Sequence, residues 1–255
     1  MATDAIVEVR GIAKTYETGV EALKDVTLSV PRGRLVSLLG PSGCGKTTLL
    51  KIIGGLVRPT AGEVRVDGRP VRGPGAERAF VFQDFALLPW ATVLRNVAFG
   101  LELRGVPREQ RHEVARQRIA EVGLAGFEAT YPHQLSGGMR QRVGLARALA
   151  VEAEIILMDE PFSSVDEQTR RKFQEDLLVL LRDRTKTVLF VTHSIEEAVY
   201  LSDEIVLLSP RPGTVSRVLQ PGVDRGRRSP DDIRRDKSYL DAVDEIWQVL
   251  KQYVT

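Results

Sequence analysis

A single cysteine, Cys44, among 255 residues excludes an internal disulfide and fits a reducing compartment. No apolar run approaches the ~18 residues that a bilayer-spanning helix requires. The opening residues, Met1-Ala2-Thr3-Asp4-Ala5-Ile6, do not join a basic segment to an apolar core, so a secretory leader is not expected. Charge of one sign is missing too. The 36 Lys and Arg against 34 Asp and Glu leave a net +2, which gives no case for nucleic acid as a partner. There is no internal repeat, no heptad run and no basic stripe, and histidine occurs three times. What remains, 43% hydrophobic and 27% charged, is ordinary globular material sufficient for one large or two small domains, placed by default in the cytoplasm.

Against that plain background one segment stands out. Residues 40–47 read Gly-Pro-Ser-Gly-Cys-Gly-Lys-Thr, a glycine-rich phosphate-binding loop ending at Lys46 and Thr47. Val36-Ser37-Leu38-Leu39 before it is a nearly continuous apolar run, as expected of a parallel strand buried on both faces. Thr47 to Ile53 after it has helical apolar spacing and stops at Gly54-Gly55. Gly40, Gly43 and Gly45 permit backbone angles closed to other residues and let successive N–H groups turn onto phosphate oxygens. The helix N-terminus adds roughly half a positive charge at the same place. Lys46 is then placed to reach the β- and γ-phosphates and the Thr47 hydroxyl to bind Mg²⁺. Cys44 lies inside this loop as a small residue tolerated there.

The rest of the chain alternates strand and helix. Ile6–Val9, Ala22–Val30 and Gly62–Val66 read as strands, the last ending at an Asp67-Gly68 turn, so the first 80 residues are mostly β. Ala79-Phe80-Val81-Phe82 reads as a buried strand ending at Gln83. From Thr92 to Gly126 the pattern turns helical, with a charged helix over Arg108–Val122 and Gly123 as its C-terminal cap. A helix over Gly138–Ala150, a strand over Ile155–Met158, a helix over Glu167–Arg182 and a strand over Thr187–Val191 follow. Pro210–Ser229 reads as a hairpin and a linker, whose arginines 225, 227 and 228, with 234 and 235 beyond it, are expected to be solvated. Tyr239, Leu240, Val243, Ile246, Trp247 and Leu250 recur at helical spacing, so an amphipathic helix is expected there, its apolar face packed on its own domain. His112 and His133 are expected to be structural or solvated.

The strand Ile155–Met158 ends in Asp159-Glu160. A carboxylate at the end of such a strand can hold Mg²⁺ beside the phosphate loop, and its neighbour is placed to polarise the water attacking the γ-phosphate. Some twenty residues before that strand, Leu135-Ser136-Gly137-Gly138 offers a helix N-cap followed by bare backbone suited to close approach of an anion.

With these motifs in this order the chain resembles an ATP-binding-cassette ATPase, the nucleotide-binding subunit of an ABC transporter, over residues 5–220. Gly40, Pro41, Ser42, Gly43, Cys44, Gly45, Lys46, Thr47 and Thr48 match the Walker A loop. Gln83 matches the Q-loop glutamine, which touches Mg²⁺ and senses the transmembrane subunits. Ser136, Gly137 and Gly138 match the signature, Asp159 and Glu160 the Walker B pair, Asp166 the D-loop aspartate, and His193 the switch histidine on the γ-phosphate. Tyr16 sits where the family places an aromatic on adenine. The resemblance implies an α/β P-loop NTPase core of mostly parallel sheet, an N-terminal antiparallel β subdomain, and a helical signature subdomain at about 86–150. A linker and amphipathic helix would follow over 221–255. It also implies ATP and Mg²⁺ as ligands, with Glu160, His193, Lys46 and Gln83 serving hydrolysis and Thr47, Gln83 and Asp159 the metal.

The partners implied are a second copy, head to tail, whose Ser136, Gly137 and Gly138 close over ATP held by the first, and transmembrane permease subunits at the cytoplasmic face of the inner membrane. An extracytoplasmic solute-binding protein would be reached through the complex. Met139 after the signature glycines and Ser164-Val165 in the D-loop depart from the commonest pattern, but Ser136 and Asp166 are retained. Phe82-Gln83-Asp84, then Leu87-Leu88-Pro89-Trp90, then Asn96-Val97-Ala98-Phe99-Gly100 are similar to the importer branch for nitrate, sulfonates and taurine. Glu196 to Asp203 and Leu208 to Gly213 point the same way. The ATPase of an exporter and a soluble, non-transport ABC ATPase remain open as alternatives.

Overall fold

The computed structural model describes residues 4–181, 185–225 and 229–253. Expectations placed on Met1, Ala2, Thr3, Arg182, Arg227 and Arg228 lie outside the described residues. In chain order the elements are β1 Ala5–Thr15, β2 Glu21–Pro31, β3 Leu35–Leu39, α1 Lys46–Ile53, β4 Ala61–Val66, β5 Arg69–Pro70, β6 Arg78–Val81, α2 Val93–Leu103 and α3 Arg108–Glu121. They continue as α4 Gly137–Ala150, β7 Ile155–Asp159, α5 Glu167–Leu180, β8 Thr187–Thr192, α6 Ile195–Leu201, β9 Glu204–Leu208, β10 Val215–Leu219, α7 Pro230–Arg235 and α8 Lys237–Leu250. The chain divides into two compact units, Met1–Gly75 with Arg184–Thr255, and Ala76–Asp183. Among the described residues no helix is long and apolar enough to cross a membrane.

The first unit holds two sheets. One is antiparallel, in the order β2-β1-β4-β5. Its inward positions alternate with outward polar ones, so that Val7, Val9 and Ile12 of β1 face Val26, Leu28 and Val30 of β2 in a buried layer. In the other sheet β8, β3 and β9 run parallel, and β10 returns antiparallel beside β9. All five residues of β3 and all six of β8 are buried, the pattern of strands covered on both faces. This is an α/β fold with an antiparallel β subdomain, as the motifs implied.

Gly62 shows how closely the antiparallel strands meet. Its φ is +81°, and a Cβ placed there would lie 2.3 Å from the Gly11 oxygen and 2.5 Å from the Arg10 oxygen. Both neighbours are main chain and cannot rotate away. Gly62→Ala is therefore expected to destabilise the fold by roughly 2–4 kcal/mol, combining left-handed strain with overpacking. A urea midpoint equal to that of the parent, at unchanged m-value, would contradict this.

The second unit carries the short parallel pair β6–β7 with helices α2 to α5. Here the structure differs from the sequence reading. Strand β6 stops at Val81, and only Ala79 and Val81 are buried. Phe80 and Phe82 are half-buried and lie against each other, ring centroids 4.4 Å apart. An apolar run of four suggested a strand covered on both faces, whereas alternation sends two of its four side chains to a face left partly open.

The C-terminal residues also differ from expectation. Arg225 is not solvated: Nε donates to the Tyr200 carbonyl at 2.6 Å, and Nη2 donates to those of Val199 and Ser202 at 2.9 and 2.5 Å. A guanidinium thus satisfies the last carbonyls of α6, where the helix dipole favours a cation. Arg234 lies 4.2 Å from the centroid of the Tyr200 ring. Helix α8 packs on α6 and has Tyr239 and Ile246 buried, but Leu240 and Trp247 stay about half exposed, at 50% and 51%. Six apolar positions on one helix make a face wider than the stripe that α6 covers.

Candidate functional site

Strand register positions the site in both units. In the first, Leu39 at the end of β3 pairs with Thr192 of β8 and with Leu207 of β9. Gly40 and His193, the next residues along each chain, therefore leave the parallel sheet at the same carboxyl edge, where α/β sheets bind their ligands. In the second, Val81 pairs with Met158, so Gln83 and Glu160 emerge two residues beyond a matched pair.

The loop of residues 40–45 folds back over the N-terminus of α1. Gly45 is the N-cap residue of that helix, left-handed at φ 102°, and no side chain caps the first turn. Its N–H groups are thus left to the concavity of the loop. A side chain at Gly45 would collide with Leu23 Cδ2 and the Ala22 oxygen, each 2.7 Å from a Cβ there. Lys46 is buried, and its ammonium donates to the carbonyls of Gly40 at 2.8 Å and Pro41 at 2.9 Å. The cation is thereby held at the mouth of the loop without an acidic partner in those bonds. Cys44 Sγ lies 3.8 Å from the same ammonium, and burial pushes the thiol pKa up more strongly than Lys46 lowers it. Tyr16 and Thr48 share a hydroxyl–hydroxyl bond of 3.0 Å, which brings the partly exposed tyrosine ring to the first turn of α1. Lys14 Nζ lies 5.1 Å from the centroid of that ring.

His193 is exposed between β8 and α6, on a braced backbone. The Thr192 hydroxyl donates to Glu197 Oε2 at 2.5 Å and accepts the Ser194 N–H at 3.0 Å. Ser194 caps α6 by accepting the Glu197 N–H at 3.2 Å. The residues on both sides of His193 are thus tied to Glu197, Thr192 to its carboxylate and Ser194 to its main-chain N–H.

In the second unit Gln83 Nε2 donates to Glu160 Oε2 at 3.2 Å. Asp159 ends β7 in a buried position, and Glu160 follows with φ +46°, a left-handed conformation that costs a non-glycine residue about 1–3 kcal/mol. Ser163 returns both its N–H and its hydroxyl to the Glu160 carbonyl, at 3.2 and 3.1 Å, which holds this turn. Asp166 caps α5 by accepting the Thr169 N–H at 3.0 Å, a bond that lowers the pKa of its carboxyl. Ser136 caps α4, accepting the Met139 N–H at 3.2 Å. Gly137 and Gly138 form the first turn of that helix. Of the remaining histidines, His133 stacks on Tyr131, and His112 has its pKa lowered by burial and by Arg108, Arg111 and Arg116.

Among the described residues no three His, Cys, Asp or Glu side chains gather into a metal-binding cluster. In the first unit Thr47 offers a hydroxyl, and in the second Asp159 and Gln83 offer a carboxylate and an amide carbonyl, all hard oxygen donors of the kind magnesium accepts. With few protein carboxylates, such an ion completes its octahedron with phosphate and water. Each of these donors is by itself of the chemical type that Mg²⁺ accepts.

Thr192, Glu197 and Arg147 were not singled out from sequence. Ser194 and Glu197 carry the S-x-x-E spacing of a capping box, a signal that was available. The Thr192 hydroxyl bond and the partners of Arg147 had no comparable local signature.

Known proteins share this sequence and fold. Residues 23–163 match the family described as "ABC transporter". An uncharacterised ABC transporter ATP-binding protein of Methanocaldococcus jannaschii is 48% identical over 250 residues, spanning 97% of this chain and 92% of that protein. A taurine import ATP-binding protein of Chromobacterium violaceum is 54% identical over 217 residues, 85% of this chain and 83% of that protein. A dimeric ATP-binding cassette in a post-hydrolysis state, bound to ADP and Pi, superposes with a TM-score of 0.75 at 37% identity, covering 84% of this chain and 98% of that one. Because the likeness runs far beyond the loop and includes the strand ends that carry Gln83, Glu160 and His193, the chain belongs to the ABC transporter family of ATP-binding, ATP-hydrolysing subunits.

Proposed function

We propose that this chain energises an importer of small anionic solutes of the taurine, sulfonate or nitrate type, working as a head-to-tail homodimer beneath a separate permease. The observation that carries the solute class is the 54% identity to a taurine import protein across most of its length. The dimeric cassette of similar fold supports the homodimer. The ATPase domain spans residues 5–220, with its helical subdomain at about 86–150, and the remainder is an appended linker and helix. The subunit sits peripherally at the cytoplasmic face of the inner membrane, and an extracytoplasmic binding protein delivers solute to the permease.

ATP is the substrate. The N–H groups of residues 40–48 surround its phosphates, Lys46 exchanges its two carbonyl partners for phosphate oxygens, and Tyr16 stacks on the base. Thr47, Asp159 and Gln83 would hold Mg²⁺, which neutralises charge on the phosphates. Glu160 accepts the proton of the attacking water as its oxygen bonds to the γ-phosphorus and the bond to the bridging oxygen breaks, releasing ADP and phosphate. His193 steadies the γ-phosphate on its braced backbone. Ser136, Gly137 and Gly138 of the second copy close over it, with Asp166 at the boundary.

Uptake of labelled taurine, an alkanesulfonate and nitrate into cells expressing this chain with its permease separates these solutes. ATP-dependent uptake of at least one, lost in Lys46→Met, is the expected result. Uptake of none would overturn the solute class, and export of a solute would overturn the direction.

A further inference from the structure

The loop after Gln83 is built against preference. Phe85 and Ala86 are consecutive non-glycine residues with φ of 63° and 43°. Local propensity does not hold them there, so tertiary contacts must. Those contacts come from one face of α4. Arg147 donates from Nη2 to the Phe85 carbonyl at 2.8 Å and from Nη1 to the Ala86 carbonyl at 2.6 Å. Gly144, one turn earlier, faces the same loop: a Cβ there would lie in ordinary contact, 3.9 Å from both the Phe85 oxygen and Val81 Cγ1. Arg140, a further turn back, places its guanidinium 5.4 Å from the Phe85 ring centroid. Arg140 also donates to the Leu135 carbonyl at 3.0 Å, immediately before Ser136.

Positions 140, 144 and 147 share a helical face, and all three address the same loop residue. The fork geometry of arginine suits two adjacent carbonyls, which a lysine cannot bridge in the same way. Arg147 is half-buried, and desolvation lowers its pKa from the ordinary value, opposed by Asp84. Two charge-assisted bonds from one half-buried guanidinium hold both carbonyls of the turn to the helix.

We propose that Arg147 is a positioning residue: with Arg140 it latches the left-handed Phe85-Ala86 turn onto the helix headed by Ser136, and so fixes the Gln83 amide against Glu160. The signature helix and the catalytic carboxylate are thereby set as one piece. The latch adds to the hydrolysis proposed above and rests on that reading for its effect on rate.

The test uses the full chain. In Arg147→Met, amide exchange over residues 82–88 should accelerate while that over 155–159 is unchanged. ATP affinity, read with a fluorescent analogue, should stay within about twofold, because the phosphate loop is untouched, while kcat falls by about tenfold. Arg147→Lys should lie between variant and parent. Ala86→Gly in the Arg147→Met background should restore at least about half of the lost rate, since glycine holds a positive φ without strain. Parental exchange over 82–88 in Arg147→Met would overturn the latch whether or not the chain hydrolyses ATP. A parallel fall in kcat and ATP affinity, or no rescue by glycine, would reduce Arg147 to a packing role and overturn the proposal. Wild-type turnover in Glu160→Gln would instead defeat the hydrolytic reading and leave the exchange result standing.

Discussion

Replacing Glu160 with glutamine is expected to lower ATP hydrolysis by about 10²–10⁴-fold while leaving ATP affinity near that of the parent. The amide has the shape of the carboxylate and keeps an oxygen to accept the Gln83 N–H, a bond of 3.2 Å in the parent. The left-handed backbone at residue 160 is held by Ser163 through the main chain, so it survives the substitution. What disappears is the carboxylate proposed to take a proton from water. Because ATP then stays bound between two copies, the variant given ATP and Mg²⁺ should elute as a dimer, whereas the parent returns to monomer as it turns over. Steady-state hydrolysis at the parental rate would remove Glu160 from the role of base. A dimer that forms equally without nucleotide would remove ATP from the interface.

Lys46→Met should fail earlier, at binding. Methionine keeps most of the length of the side chain but removes the ammonium, and a charge-assisted bond to phosphate contributes about 1.5–3 kcal/mol, so ATP affinity should fall by about 10–100-fold. The same change strips the donor from the Gly40 and Pro41 carbonyls, which Lys46 serves at 2.8 and 2.9 Å. Leaving such groups unpaired costs about 1–3 kcal/mol, so a lower denaturation midpoint should accompany the lost affinity. The pair of variants separates the two stages: one binds without turning over, and the other hardly binds. Parental affinity in Lys46→Met, measured by titration calorimetry, would show that the ammonium stays on its carbonyls when the nucleotide is present.

Both expectations concern residues that were legible before any coordinates, and the reason is local. The phosphate loop is a contiguous run whose glycines, helix start and lysine act on one another within a few residues, so the chemistry can be read in order along the chain. The same holds for Ser136 and Asp166, whose side chains cap the helices that follow them. The Asp67-Gly68 turn is equally plain, both residues adopting the positive φ of a two-residue hairpin. Legibility fell away where the environment decides. The run Ala79–Phe82 looked uniformly buried, but half of it is not, because nothing in four apolar letters says how many faces a strand will have covered. Arg225 looked like a solvated linker residue because its three carbonyl acceptors, in Val199, Tyr200 and Ser202, are remote in sequence and belong to a helix end.

By itself the sequence determined most of the strands and helices before residue 192 and the motifs around Lys46, Ser136, Asp159 and His193, and through them the family. These rest on torsional preference, hydrophobic period and capping, which act over one or two helical turns. Only the tertiary structure decided that Thr192 and Glu197 brace His193 and that Arg147 holds Phe85 and Ala86, 62 and 61 residues away. It also left Leu240 and Trp247 half exposed while Tyr239 and Ile246 are covered. A main-chain carbonyl is the same group at every residue, so which one a distant arginine finds is settled by packing rather than by the identity of the residue that carries it.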